Sequence, residues 1–224
     1  MKWVLVIVVV AVGAWMLLTR TRKRDVQEHA PMRRSATYVC QWGDSERRAY
    51  CALLGIDVAE LCRHAIVEHA TLLEDGGAAL ELGAALGALA LAGRDKLTLV
   101  MGHGFESLGV WIEQLVAEST GKQGRGILPI EGEALRSPEG YGDDRVFVSL
   151  SLGEPDAATT RTLDALAALG HPVLRWTRDA REAVGAEFMR WEIATAVAGA
   201  VLGVNPFDEP NVSEAKAATK RVLQ

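Results

Sequence analysis

The chain has little to support redox chemistry. Its three cysteines, Cys40, Cys51 and Cys62, are odd in number and include no CxxC pair. The spacing asks for neither a disulfide framework nor a thiolate metal knot. They read as reduced thiols of a protein in the cytoplasm. Two histidines beside Cys62, His64 and His69, stand five apart, so they do not share a helix face as an i, i+4 ligand pair would. Positive charge is also scarce where a nucleic-acid surface would need it. Residues 1–50 carry nine Lys and Arg against four Asp and Glu, and the remainder carries fifteen against twenty-five. An acidic body excludes a broad phosphate-backbone interface, and hence a nucleic-acid partner. A phosphate-binding P-loop is absent too, because the glycines before Lys122 have the wrong spacing.

At 224 residues, 49% hydrophobic and 24% charged, the chain has an ordinary globular composition. It is long enough for one α/β domain with appendages, or for two small domains. The N-terminal basic excess follows an unbroken apolar run, Trp3 to Leu18 (WVLVIVVVAVGAWMLL), and consists of Arg20, Arg22, Lys23 and Arg24. The run is close to the roughly 17 residues that a short membrane span requires. Residues 1–24 therefore read as a membrane helix with a basic flank, touching the bilayer through residues 3–19. The flank keeps the body cytoplasmic, tethered to the inner membrane. No small-residue cleavage pattern precedes the flank, which disfavours a removable signal. A buried core strand or helix is the competing reading. Residues 25–51 lack helical or strand periodicity and hold Pro31. They read either as a linker or as a join between unrelated segments.

Residues 52–94 are rich in Ala, Leu and Glu and read as a two-helix lead-in. Asp57 is a candidate cap for the first helix, and Gly93 closes the second. In AALELGAALGALALAG, Gly83, Gly87 and Ala90 leave room for another backbone to come close. From residue 95 to 204 strands alternate with helices. The expected strands are Lys96–Met101, Gly126–Ile130, Arg145–Leu152 and His171–Trp176. The expected helices are Ser107–Ser119, Ala157–Leu169 and Phe188–Leu202. This pattern predicts an α/β class with a doubly wound, mainly parallel sheet flanked by helices. Ligands of such sheets bind beyond the carboxyl ends of the strands. That rule points to the Gly102–Gly104 turn and the loops after Ile130 and Trp176. Residues 205–224 read as a Pro-punctuated loop and a helix.

Two segments are candidates for chemistry. In EQLVAESTGK, Glu118 lies near a helix C-terminus, where a carboxylate at a cleft edge can serve as a general base. Gln114, one turn earlier on the same face, can hydrogen-bond a polar ligand. In NPFDEPNVSEAK, Lys216 falls near a helix start, where a cation gains nothing from the macrodipole. On the residues alone, a solvated helix-end Glu and a surface Lys remain the simpler readings.

Taken in order, GRDKLTL (93–99), WIEQLVAESTGKQGRGILP (111–129), YGDDRVFV (141–148) and GAVLGVNPFDEPNVSEAK (199–216) resemble the second sugar-isomerase (SIS) domain of glucose-6-phosphate isomerases. The isomerase part of the bifunctional transaldolase/glucose-6-phosphate isomerases is nearest in character. The resemblance runs from about residue 52, at ALLGIDVAELC, to the end. It implies an SIS-like fold and a sugar phosphate substrate. It also implies interconversion of glucose 6-phosphate and fructose 6-phosphate through an enediol, without metal or organic cofactor. By matching motif, the base falls on Glu118, the substrate-binding glutamine on Gln114, and the lysine assisting ring opening on Lys216. The family's ring-opening histidine matches neither His103 nor His171. Family members form homodimers with shared active sites. Residues 1–51 do not resemble the family's first domain, which supplies a phosphate loop and a glycine-flanked arginine. The expectation is thus an incomplete site with little activity by itself, or a tethered module that binds a phosphosugar without turning it over.

Overall fold

The computed structural model describes residues 57–75, 77–208 and 219–221. The apolar run at 3–18, the linker at 25–51 and Lys216 lie outside them. Among the described residues no helix is long and apolar enough to cross a membrane.

The described chain divides into two compact units, one of residues 57–70 with 182–189 and one of residues 71–181 with 190–221. In the first, Asp57 Oδ1 accepts the Glu60 N–H at 3.1 Å. It caps helix α1 (Val58–Asp75) by taking up one of the orphan donors of the first turn. Gly185 faces the Leu61 backbone so closely that a Cβ would collide with it. Cys62 is a free, half-buried thiol, and burial raises its pKa.

The second unit is built on a four-stranded sheet in the order β2-β1-β3-β4. The strands are β1 (Lys96–Met101), β2 (Leu128–Ile130), β3 (Arg145–Leu152) and β4 (Val173–Arg178), and every pairing is parallel. The sheet grows from β1 first towards β2 and then, through β3, to the other side, which is the order reversal of a doubly wound sheet. β3, RVFVSLSL, is mostly apolar, and the two polar exceptions among its six consecutive buried positions are small serines. A strand that reads apolar almost throughout belongs in the middle of a covered parallel sheet.

Helices flank the sheet: α2 (Gly77–Leu91), α3 (Leu108–Thr120), α4 (Ala157–Ala168) and α5 (Val184–Leu202). At the end of α2, Gly93 adopts a φ of 87°. Arg94 N–H reaches back to the Leu89 carbonyl at 2.8 Å, a left-handed glycine cap. α2 meets α5 through its small residues. A Cβ on Gly83 would lie 2.7 Å from Val197 Cβ and 2.8 Å from Ala194 Cα, and one on Gly87 would lie 2.7 Å from Val201 Cβ. The close approach anticipated at these two glycines is therefore present.

The β2–β3 connection is not helical, apart from one 3-10 turn at Pro138–Gly140. It is fastened by Tyr141, whose ring meets Phe147 edge-on at 5.0 Å and whose hydroxyl accepts the Arg136 N–H at 3.0 Å. Glu133 receives Arg145 Nη1 at 2.7 Å and also pairs with Arg136. Burial works against its charge, but the two guanidiniums win and hold the carboxyl below its usual range.

Candidate active site

The carboxyl edge, where the doubly wound rule points, is occupied by the chain's own backbone at the β1–β3 step. A Cβ on Gly102 would lie 2.7 Å from Ser151 Cβ, and one on Gly104 would lie 2.9 Å from Leu152 Cβ. Leu152 N–H donates to the His103 carbonyl at 2.8 Å. The Gly-His-Gly turn therefore lies down on the end of β3.

Glu118 and Gln114, the two candidate residues among those described, lie at the opposite edge. In a parallel sheet each crossover helix must run back against the strands, so α3 ends level with the strand beginnings. The register agrees: Leu128 opens β2 opposite Lys96 at the start of β1, and Leu128 N–H donates to the Asp95 carbonyl at 2.8 Å. Glu118 stands in the last turn of α3 with its side chain exposed, and Gln114 is half-buried one turn before it. Gln114 Nε2 donates to Glu118 Oε1 at 3.1 Å, the i, i+4 contact expected from the helix period.

The turn after α3 is tightly specified. Thr120 Oγ1 donates to the Val116 carbonyl at 2.8 Å and accepts the Ile127 N–H at 3.0 Å. Gly126, with φ of 150°, brings its Cα side to within 2.8 Å of Gly121 Cα, measured from an added Cβ. No other residue fits there. Lys122 and Arg125 pair with each other through both backbone hydrogen bonds, each at 3.0 Å. The tip between them, Gln123-Gly124, has φ of 56° and 74°, the sign pattern of a type I′ turn.

From this turn two cations reach the end of α5. Arg125 Nη1 donates to the Leu202 carbonyl at 2.7 Å. Lys122 Nζ donates to the carbonyls of Asn205 at 2.7 Å and Asp208 at 2.5 Å, and pairs with Asp208 Oδ1 at 2.8 Å. The two motifs singled out in the sequence, ESTGK and the start of NPFDEP, are thus joined. The sequence reading put Glu118 and Gln114 together, as found, and treated Lys122 only as a failed P-loop lysine. The one signal that could have found Lys122 is the co-occurrence of the two motifs. Among the described residues no group of three or more His, Cys, Asp or Glu is arranged to hold a metal ion.

No family model matches the chain. It is 30% identical to a protein of Rubrobacter xylanophilus named glucose-6-phosphate isomerase, in an alignment covering 75% of this chain and 48% of that protein. The chain therefore spans about half the length of the curated relative it matches. Among solved structures, a hypothetical protein from Thermus thermophilus superposes with a TM-score of 0.61 at 20% identity, covering 75% of this chain and 51% of that one. That likeness concerns the fold.

Proposed function

We propose that the chain carries the base-bearing part of a glucose-6-phosphate isomerase-type site. Glu118 is the base. Its carboxylate takes the hydrogen from C2 of open-chain glucose 6-phosphate, or from C1 of fructose 6-phosphate, and returns it to the neighbouring carbon. A second proton moves between the two oxygens, so nothing is oxidised or reduced overall. Gln114 orients the carboxylate, and Lys216 contacts the substrate during ring opening. The observation that carries this reading is the Gln114–Glu118 hydrogen bond at an exposed helix end, tied through Lys122 to the second motif. The resemblance of the chain to an isomerase of that name supports it.

Turnover by this chain alone is expected to be small, because holding the phosphate provides much of the orientation that makes proton transfer fast. A sensitive measurement is hydrogen exchange at C1 of fructose 6-phosphate in heavy water, followed by NMR, beside calorimetric binding. Exchange above background that Glu118→Gln lowers by roughly a hundredfold or more, the usual scale for a lost acid–base group, is the expected result. Exchange that survives Glu118→Gln would falsify the assignment, and so would the absence of both exchange and binding.

A further inference from the structure

Lys122 is an odd residue to bury. Its side chain is 3% exposed, yet all three ammonium hydrogens find acceptors on a single loop: Asn205 O, Asp208 O and Asp208 Oδ1. A buried ammonium is tolerable only when satisfied in this way. The receiving loop is shaped to offer those acceptors. Asn205 Oδ1 accepts the Phe207 N–H at 3.1 Å, and Pro206 lies against Gly199, where a Cβ would come within 3.1 Å. On the far side of the Gln123-Gly124 tip, Arg125 holds Leu202. The turn is therefore pinned at both flanks, and the pins span 77 to 86 positions of sequence.

We infer that Lys122 is a positioning residue. It fixes the base-bearing end of α3 and the Asn205–Asp208 loop, which leads on to the Lys216 segment, in one mutual register. The clamp stands on these hydrogen bonds and the ion pair; its catalytic consequence rests on the isomerase reading above.

The test uses the full chain as Lys122→Met, Lys122→Arg, Asp208→Asn and Glu118→Gln. Backbone hydrogen exchange is read in residues 203–208, with β3 as the internal control for folding. Lys122→Met is expected to speed exchange in 203–208 by about tenfold or more while β3 keeps its protection. Lys122→Arg, which keeps a cation, is expected to restore part of it. With fructose 6-phosphate, Lys122→Met is expected to lower the C1 exchange rate by about tenfold with a much smaller change in binding, the split expected when geometry and not affinity is lost. Unchanged protection of 203–208 in Lys122→Met overturns the clamp. If that variant also loses β3 protection, Asp208→Asn decides, and wild-type protection there overturns the clamp equally. An opened loop with an unchanged C1 exchange rate overturns the positioning role. Failure of the isomerase reading looks different: Glu118→Gln is then without effect on C1 exchange while Lys122→Met still opens the loop.

Discussion

Glu192 sits in the middle of α5, half-buried, and its Oε1 has no hydrogen-bond partner among the described residues. Thr195 Oγ1 and Trp191 Nε1, its neighbours on the same helix, are likewise buried without one. Burial pushes the carboxyl up from 4.5 to about 8, because a carboxylate there loses part of its hydration and Oε1 gains no hydrogen bond in return. The linkage sign follows. Between the two values the folded protein holds a proton that the unfolded chain has released, so stability falls as pH rises, by about 1.4 kcal/mol per unit. This contribution is fully present below the unfolded pKa and lost as pH rises through about 8. The whole shift corresponds to at most about 5 kcal/mol, and local relaxation and water entry reduce this to an expected 2–3, approximately.

The perturbation is Glu192→Gln, which keeps the shape and removes the titration. Urea unfolding at pH 5, 6.5 and 8 is the assay, with m unchanged between the two proteins. The wild type is expected to lose stability across this series relative to the variant, which overtakes it by about 2 kcal/mol or more at pH 8. The acids held below their usual range, such as Glu133, do not confuse the comparison: their contribution is lost at lower pH and is shared by both proteins. Parallel pH dependences for wild type and Glu192→Gln would refute the reasoning.

Two further substitutions test packing. Gly83→Ala is expected to destabilise despite gaining helix propensity worth about 1 kcal/mol, because its Cβ meets the backbone of Ala194. Overpacking against atoms that cannot change rotamer costs about 3 kcal/mol, for a net loss near 2, so an equal or higher urea midpoint contradicts the close helix contact. Tyr141→Phe keeps the aromatic cluster but strands the Arg136 N–H, and a loss of about 1–2 kcal/mol in thermal unfolding is expected, whereas an unchanged Tm means that water serves that N–H equally well.

Much of this architecture was legible because it is written locally. The apolar run of β3 announced a covered strand, and the small residues of α2 announced a close backbone contact, though not with which helix. Where the edges moved, a specific competing bond is responsible. The expected strand at Gly126–Ile130 begins only at Leu128, because the Ile127 N–H is taken by Thr120 Oγ1. The expected strand at His171–Trp176 begins at Val173: His171 N–H goes back to the Leu166 carbonyl at the end of α4, and Pro172 has no N–H to give. α5 starts at Val184, earlier than its apolar stretch suggests, because a 3-10 turn at Arg181–Ala183 leads into it. In the site, Glu118 and Gln114 were readable from a helix period. Lys122 was not, since its acceptors lie more than 80 positions away and no periodicity reports on such a contact.

The location of the candidate residues carries a consequence for how a sugar phosphate would lie. A doubly wound sheet ordinarily offers helix N-termini to an anion, but Glu118 is at the other end of α3, where the helix presents carbonyls and partial negative charge. Several cations at this edge are engaged. Lys96 is held by Asp95 and Asp144, Lys122 by Asp208, and Arg125 by the Leu202 carbonyl. The C-terminal end of a helix does not favour a dianionic phosphate. On the isomerase reading proposed above, the end of α3 would meet the carbon end of the substrate. A hexose phosphate placed for proton transfer at Glu118 would then point its phosphate away from the end of α3.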